Sequence, residues 1–263
     1  MKIAIIGAGN LGISIANGII KSSLQLDSLY LTKRAVSELK TWETISKVTV
    51  TSNNVEAVSN SEIIILAVQP KQLSLVLNEI KEVVNPLQHI IISTITGRKI
   101  SDFESVLGEN VPIIRSMPNT AISVSESMTC LCANTFGESK FEIAQNIFNS
   151  VGKTMCIDEK LMQAATVICA SGIAFWMRLI RATTQGAIQL GFDAKEAQEL
   201  SMQTCLGAAS LLVKSNSHPE QEIDKVTTPS GCTIEGLNEM EHQGLSSSLI
   251  KGLVASFEKI NQI

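Results

Sequence analysis

The residues best able to do chemistry stand near the start of the chain. There Gly7-Ala8-Gly9-Asn10-Leu11-Gly12 follows the apolar run Lys2-Ile3-Ala4-Ile5-Ile6 and precedes the helical pattern Ile13-Ser14-Ile15-Ala16. The glycines have G-x-G-x-x-G spacing, and a strand directly before and a helix directly after give that spacing its weight. Gly7 turns the chain out of the strand, Gly9 lets the backbone approach a pyrophosphate, and Gly12 lets the new helix lie close to the sheet. The first N–H groups of that helix, those of Asn10 and Leu11 among them, then face the phosphates. A dinucleotide site is expected here.

Which dinucleotide is read from the end of the second strand, where Leu29-Tyr30-Leu31 runs into Thr32-Lys33-Arg34. An acidic residue at this place bonds the ribose 2′-hydroxyl of NAD. Here two cations stand instead, and the charge of Lys33 with the planar fork of Arg34 suits a 2′-phosphate. NADPH is the expected cofactor, preferred over NADH. The competing reading makes Lys33 and Arg34 a solvated loop.

The other reactive side chains form no comparable constellation. Cys130, Cys132, Cys156, Cys169, Cys205 and Cys232 include no C-x-x-C pair and no metal-ligand spacing, and are expected to be reduced core thiols. His89, His218 and His242 are far apart and expected at the surface or at strand edges, so no metal site is predicted. A net charge of −4 with scattered basic residues argues against nucleic acid, leaving small molecules or further copies of the chain as partners. Met1-Lys2-Ile3 passes straight into the first strand, and no apolar run approaches the roughly 18 residues of a membrane helix, so a cytoplasmic, non-membrane location is expected.

The elements that position the glycine turn follow from periodicity, and a hydrophobic fraction of 44% is ample for a core. Leu29–Leu31, Val48–Val50, Glu62–Val68, His89–Ser93 and Val111–Ile114 read as buried strands, alternating with helical stretches. That rhythm predicts an α/β, doubly wound Rossmann sheet over residues 1–158. Beyond Asp158 the pattern is helical: Leu161–Leu190, Asp193–Ser215, Pro219–Val226, Thr233–His242 and Ser246–Ile260, an all-α domain over 159–263. Asp193-Ala194-Lys195-Glu196 reads as a capping box, and Pro219 fits a first helical turn. Ala197, Leu200, Ser201, Thr204, Cys205, Ala208 and Leu211 form a stripe suited either to a second subunit or to an intrachain core.

Two further segments carry a family resemblance: Arg115-Ser116-Met117-Pro118-Asn119-Thr120, and Thr227-Thr228-Pro229-Ser230-Gly231-Cys232-Thr233-Ile234-Glu235-Gly236-Leu237. With the glycine turn and Ala67-Val68-Gln69-Pro70 they resemble, in order and spacing, the pyrroline-5-carboxylate reductases, which make proline. The resemblance implies a Rossmann domain, a helical dimerisation domain, and a homodimer or larger assembly of dimers. It implies that Ala67, Val68, Gln69, Pro70, Met117, Pro118 and Asn119 line the nicotinamide side. A cyclic imine acid would lie between nicotinamide and helical domain, with its carboxylate at Thr228, Ser230, Gly231, Cys232 and Thr233. Thr233 corresponds to the threonine near the imine nitrogen, and its simpler reading is a helix N-cap. Independently, a run of N–H groups and hydroxyls ahead of a helix suits a carboxylate.

The chain departs from the family where substrate is implied. S-P-G-G-T-T becomes Thr228-Pro229-Ser230-Gly231-Cys232-Thr233, with φ at residue 230 restricted by the added Cβ. S-G-S-G-P-A-Y becomes Cys169-Ala170-Ser171-Gly172-Ile173-Ala174-Phe175, Arg181 replaces a common glutamate, and Ala121 stands where proline is usual. Arg178 and Arg181, one turn apart, suit either an extra anionic group or solvent. The expected activity is NADPH-dependent reduction of 1-pyrroline-5-carboxylate; the alternatives are another cyclic imine or an NADPH-binding regulatory protein of weak activity. A β-hydroxyacid dehydrogenase ranks lower, because its acid/base lysine has no counterpart between Ser171 and Leu190.

Overall fold

The computed structural model describes residues 1–261. Five βα-type steps open the chain: β1 (Lys2–Ile6), α1 (Asn10–Lys21), β2 (Ser28–Thr32), β3 (Val48–Thr51), α2 (Asn54–Ser59), β4 (Ile63–Leu66), α3 (Leu73–Ile80), β5 (Ile90–Ser93), α4 (Ile100–Leu107) and β6 (Ile113–Met117). A 3₁₀ turn, Val36–Trp42, joins β2 to β3. β7 (Ser127–Ala133), α5 (Thr135–Glu138), α6 (Phe141–Asn149) and β8 (Gly152–Cys156) complete the sheet, in the order β3-β2-β1-β4-β5-β6-β7-β8. β1 to β6 are parallel, β7 runs antiparallel to β6, and β8 pairs parallel with β7.

The near-continuous isoleucine content of the strands follows from helices on both faces. Ile3 and Ile5 go to one face with Ile15, Ala16 and Ile19 of α1, while Ala4 and Ile6 go to the other with Leu73, Val76 and Leu77 of α3. Each fully buried side chain of this kind contributes about 1.5–3 kcal/mol. β7 and β8 are absent from the sequence expectation. β7 turns back antiparallel to β6, β8 returns parallel to β7 by way of α5 and α6, and half-exposed Gly152–Cys156 has no apolar run.

The contacts divide the chain between Ala170 and Ser171, later than the change of rhythm at Asp158. Met162, Ala165 and Cys169 explain the later division, because the first two belong to the second core cluster of the sheet and Cys169 packs against it. The predicted helix over Leu161–Leu190 is broken: α7 (Met162–Ala165) passes into a π-helical stretch, Thr166–Ser171, and only then into α8 (Gly172–Gln189).

The second unit, residues 171–259, holds α8, α9 (Ala194–Ser215), α10 (Pro219–Val226), α11 (Cys232–His242) and all but the end of α12 (Leu245–Ile260). Asp193 caps α9 by accepting from the N–H groups of Lys195 and Glu196 at 2.8 and 2.9 Å; among the described residues Glu196 makes no return bond, so half of the predicted box forms. α8 packs along α9. The predicted stripe on α9 splits by size: Ala197 and Ser201 are buried, whereas Leu200 and Leu211 are 47% and 60% exposed.

Three sequence expectations need correction. Only Cys130 and Cys132 are buried thiols; Cys169 and Cys205 are half-buried, and Cys156 and Cys232 are exposed. The helical stretch Glu159–Gln189, 31 residues long, does hold an 18-residue window of mean hydropathy 1.4 and so reaches a membrane span by length and composition, because its glycines, serines and threonines dilute the apolar pattern while adding no charge of their own. His89 is also buried rather than at an edge, whereas His218 is the exposed N-cap of α10.

Candidate cofactor cleft and the α11 turn

At the carboxyl ends of β1, β2 and β4 the sheet opens into a cleft of about 520 Å³. This is where strand order reverses between β1 and β4, the place at which open α/β sheets bind ligands. Gly7 has φ 101°, and a side chain there would meet Val68 and the Ala67 carbonyl within 2.9 Å. A Cβ on Gly12 would stand 2.4 Å from the Gly7 carbonyl oxygen. A Cβ on Gly9 would meet nothing within 4 Å, so the space in front of it is open. Thr32 locks the turn: its carbonyl accepts from the N–H groups of Gly7 and Ala8 at 3.2 and 2.7 Å, and its hydroxyl accepts from Gly7 at 3.3 Å.

Among the described residues no side chain caps α1, and its first turn holds no acid. The N–H groups of Asn10, Leu11 and Gly12 are therefore free to meet an anion, with the positive end of the helix dipole behind them. A pyrophosphate fits this cradle, because the one position where a Cβ would bar its approach is an open glycine.

Gly7, Gly9, Thr32, Lys33, Arg34, Ala67, Val68 and Gln69 all line the cleft. Pro70 instead starts a 3₁₀ turn capped by Gln69, and its carbonyl accepts from Arg98 at 3.2 Å. Met117 and Pro118 end β6 at the same edge of the parallel sheet, both buried, outside the cleft lining. Asn119 is committed internally: its Oδ1 accepts from Ala121 at 2.9 Å and its Nδ2 donates to the Cys169 carbonyl at 3.0 Å. That carbonyl lies in the π-helical stretch, whose wider turn leaves such groups without a regular helical partner. Just upstream, buried Arg115 pairs with Glu159 at 2.8 Å, and the same carboxylate oxygen accepts from the N–H of Ile100 at the start of α4.

Sequence reasoning missed part of the lining. Glu38 lies four residues beyond Arg34 on the 3₁₀ turn, and Leu75, Val76 and Glu79 of α3, with its N-cap Gln72, form one face. The α3 face was legible as i, i+3, i+4, i+7 spacing, but nothing marked it as a wall of a cleft.

In the helical unit, Thr228–Gly231 makes a tight turn ahead of α11. The Gly231 N–H donates to the Thr228 carbonyl at 2.9 Å, Pro229 precedes, and Ser230 sits at φ 53°, as the third residue of a type II turn requires. A Cβ on Gly231 would stand 2.4 Å from the Thr228 hydroxyl. Gly231 is the N-cap and offers no side chain, so the N–H groups of Cys232 and Thr233 are uncapped. The reading of Thr233 as N-cap is thereby corrected. It is the second residue of the helix, half-buried, and its hydroxyl makes no hydrogen bond among the described residues.

A Rossmann sheet with an open phosphate cradle at its switch point, followed by a helical unit, defines a dinucleotide-dependent oxidoreductase. The family described as pyrroline-5-carboxylate reductase dimerisation matches residues 159–263, and that described as NADP oxidoreductase, coenzyme F420-dependent, matches residues 2–97. Pyrroline-5-carboxylate reductase 1 of Dictyostelium discoideum is 44% identical over 98% of this chain, which spans about half (49%) of that protein's length. Pyrroline-5-carboxylate reductase 2 of the same organism is 42% identical over 98% of this chain and 91% of its own. The crystal structure of Plasmodium falciparum pyrroline carboxylate reductase with NADP bound superposes with a TM-score of 0.86 at 26% identity, covering 99% of this chain and 97% of that one. The chain belongs to the pyrroline-5-carboxylate reductase family.

Proposed function

We propose that this protein reduces 1-pyrroline-5-carboxylate to L-proline, with NADPH preferred over NADH, as a homo-oligomer built from dimers. One observation carries the reading: an open phosphate cradle and an uncapped, amide-rich turn before α11 occur together in a chain 42% identical, almost end to end, to a reductase of that name. The nicotinamide, when bound, supplies the hydride. The amides of Asn10 to Gly12 hold its pyrophosphate, and Lys33 and Arg34 meet the 2′-phosphate. Ala67 to Pro70 and Met117 to Asn119 frame the nicotinamide end. The turn Thr228–Cys232 takes the substrate carboxylate on main-chain amides, and the free hydroxyl of Thr233 bonds the ring nitrogen. No titratable base is needed, because a cyclic iminium already carries its proton. The protein's work is to hold the ring against the hydride and keep water away.

The exposed apolar side chains of the helical unit support the oligomer. Trp176, Met177, Leu206, Leu211, Val213 and Ile250 are each 58–68% exposed in the single chain, a surface that suits a second copy better than water or lipid.

Purified protein mixed with NADPH and a panel of cyclic imines differing in ring size and carboxylation, followed at the nicotinamide absorbance band, tests the reading. Oxidation is expected to be fastest with the five-membered carboxylated imine. Thr233→Ala should lower turnover with little change in NADPH affinity. No oxidation from mildly acidic to mildly basic pH would replace the reductase with a binding protein.

A further inference from the structure

The cleft is not the simple cationic site that Lys33 and Arg34 suggest. Its charged lining comprises those two cations and two carboxylates, Glu38 and Glu79. Glu79 is held by the side-chain amide of Asn54 at 2.9 Å. Glu38 is ion-paired with Lys33 through its Oε2. Glu38 also sits on a fixed support: its N–H donates to the Ala35 carbonyl at 3.1 Å, and Leu39 and Trp42 of the same 3₁₀ turn are buried in the core. Arg34, in contrast, makes no ion pair among the described residues.

A 2′-phosphate entering the cleft therefore finds Arg34 free and Lys33 shared. A bare ribose hydroxyl finds in Glu38 the acceptor that a carboxylate at the end of the second strand ordinarily provides. We infer that Glu38 sets the cofactor ratio: its carboxylate competes with the 2′-phosphate for Lys33 and accepts a hydrogen bond from the free 2′-hydroxyl, so that the cleft takes NADH as well as NADPH. This rests on the reading that Lys33 and Arg34 face the 2′-phosphate.

Binding titrations of the cofactor-free protein with NADPH and NADH test it without any turnover. Glu38→Gln is expected to raise the NADPH-over-NADH affinity ratio about fivefold at low salt, the scale of one partly screened charge, and less at high salt. In a Lys33→Met background the gain should fall by at least half. Glu38 is 60% exposed, so the variant should melt like the parent. Arg34→Ala separates the two ideas. If it weakens NADPH selectively while Glu38→Gln leaves the ratio unchanged, the role of Glu38 is overturned and the phosphate site stands. If Arg34→Ala weakens both cofactors equally, the phosphate site fails and the role of Glu38 falls with it.

Discussion

The two units of this chain solve the burial problem in opposite ways. In the Rossmann unit Ile3, Ile5, Leu29, Leu31, Ile65 and Ile92 are entirely buried. In the helical unit the buried positions of α8 and α9 are Gly172, Thr184, Ala197 and Ser201, and α10 and α11 have none. Small residues let α8 and α9 approach, while the large apolar ones stay outside. A sheet covered on both faces is complete in one chain, whereas a helical unit with its leucines outward leaves apolar surface that the proposed oligomer would cover.

The most forceful way to break that comparison is to charge the outward face. Leu206→Asp, at a position 60% exposed in the single chain, would be harmless if this face met only water. Against a second copy it buries an unpaired carboxylate, at a cost of several kcal/mol. The expected outcome is a monomer by light scattering and loss of reductase activity. An unchanged oligomer would move the interface elsewhere.

A second test contrasts two glycines within the Rossmann unit. Gly9→Ala adds a methyl group to open space, so the melting temperature should hold while NADPH affinity falls at least about tenfold, as the backbone can no longer approach the pyrophosphate. Gly12→Ala forces a methyl to 2.4 Å from a carbonyl oxygen and should cost about 1–3 kcal/mol of stability before cofactor is added. Calorimetry with and without NADPH distinguishes them. If Gly9→Ala binds normally, the phosphates lie elsewhere.

These contrasts also mark what the sequence made legible. Strands β1 to β6 were readable because both faces are covered, which writes isoleucine at every position of Ile63–Ile65 and Ile90–Ile92. The glycine turn and the α11 turn were readable because backbone geometry leaves few residue choices. β7 and β8 were not, since β7 reverses direction against β6 and half-exposed β8 carries no apolar run. Glu38 was not either: its partner Lys33 is reached through a 3₁₀ turn whose course depends on the burial of Leu39 and Trp42. The π-helical stretch at Thr166–Ser171 has the same apolar content as an α-helix, so periodicity alone did not separate them.

Ser230 sharpens the comparison between the glycine turn after β1 and the turn before α11. Gly7 meets its positive φ with a glycine, but Ser230 holds φ 53° with a side chain, at a place where the family resemblance puts glycine. A left-handed residue costs about 1–2 kcal/mol, and glycine returns part of that through unfolded-state entropy. Ser230→Gly should thus stabilise the protein by about 0.5–1 kcal/mol. A lower melting temperature would mean that the serine side chain earns its place through a contact with ligand or partner.

The smallest effect expected distinguishes the units by pH. His89, just before β5, is buried; its Nδ1 accepts from the Asn85 N–H at 2.9 Å and its Nε2 has no hydrogen-bond partner among the described residues. Burial holds this imidazole below the ordinary histidine value of 6.5. Above 6.5 both folded and unfolded chains leave it neutral, and its burial carries no proton penalty. As pH falls through 6.5 the unfolded chain takes up a proton that the folded chain refuses, so stability declines until the folded value is passed. His218 and His242 in the helical unit are exposed. Hydrogen exchange at pH 7.5 and 5.5 should therefore show added opening around β4 and β5, where His89 and Ser61 are buried together, and little added opening in α10 and α11. His89→Gln should flatten the difference. Equal loosening of both units would assign the acid sensitivity to the subunit interface rather than to the sheet.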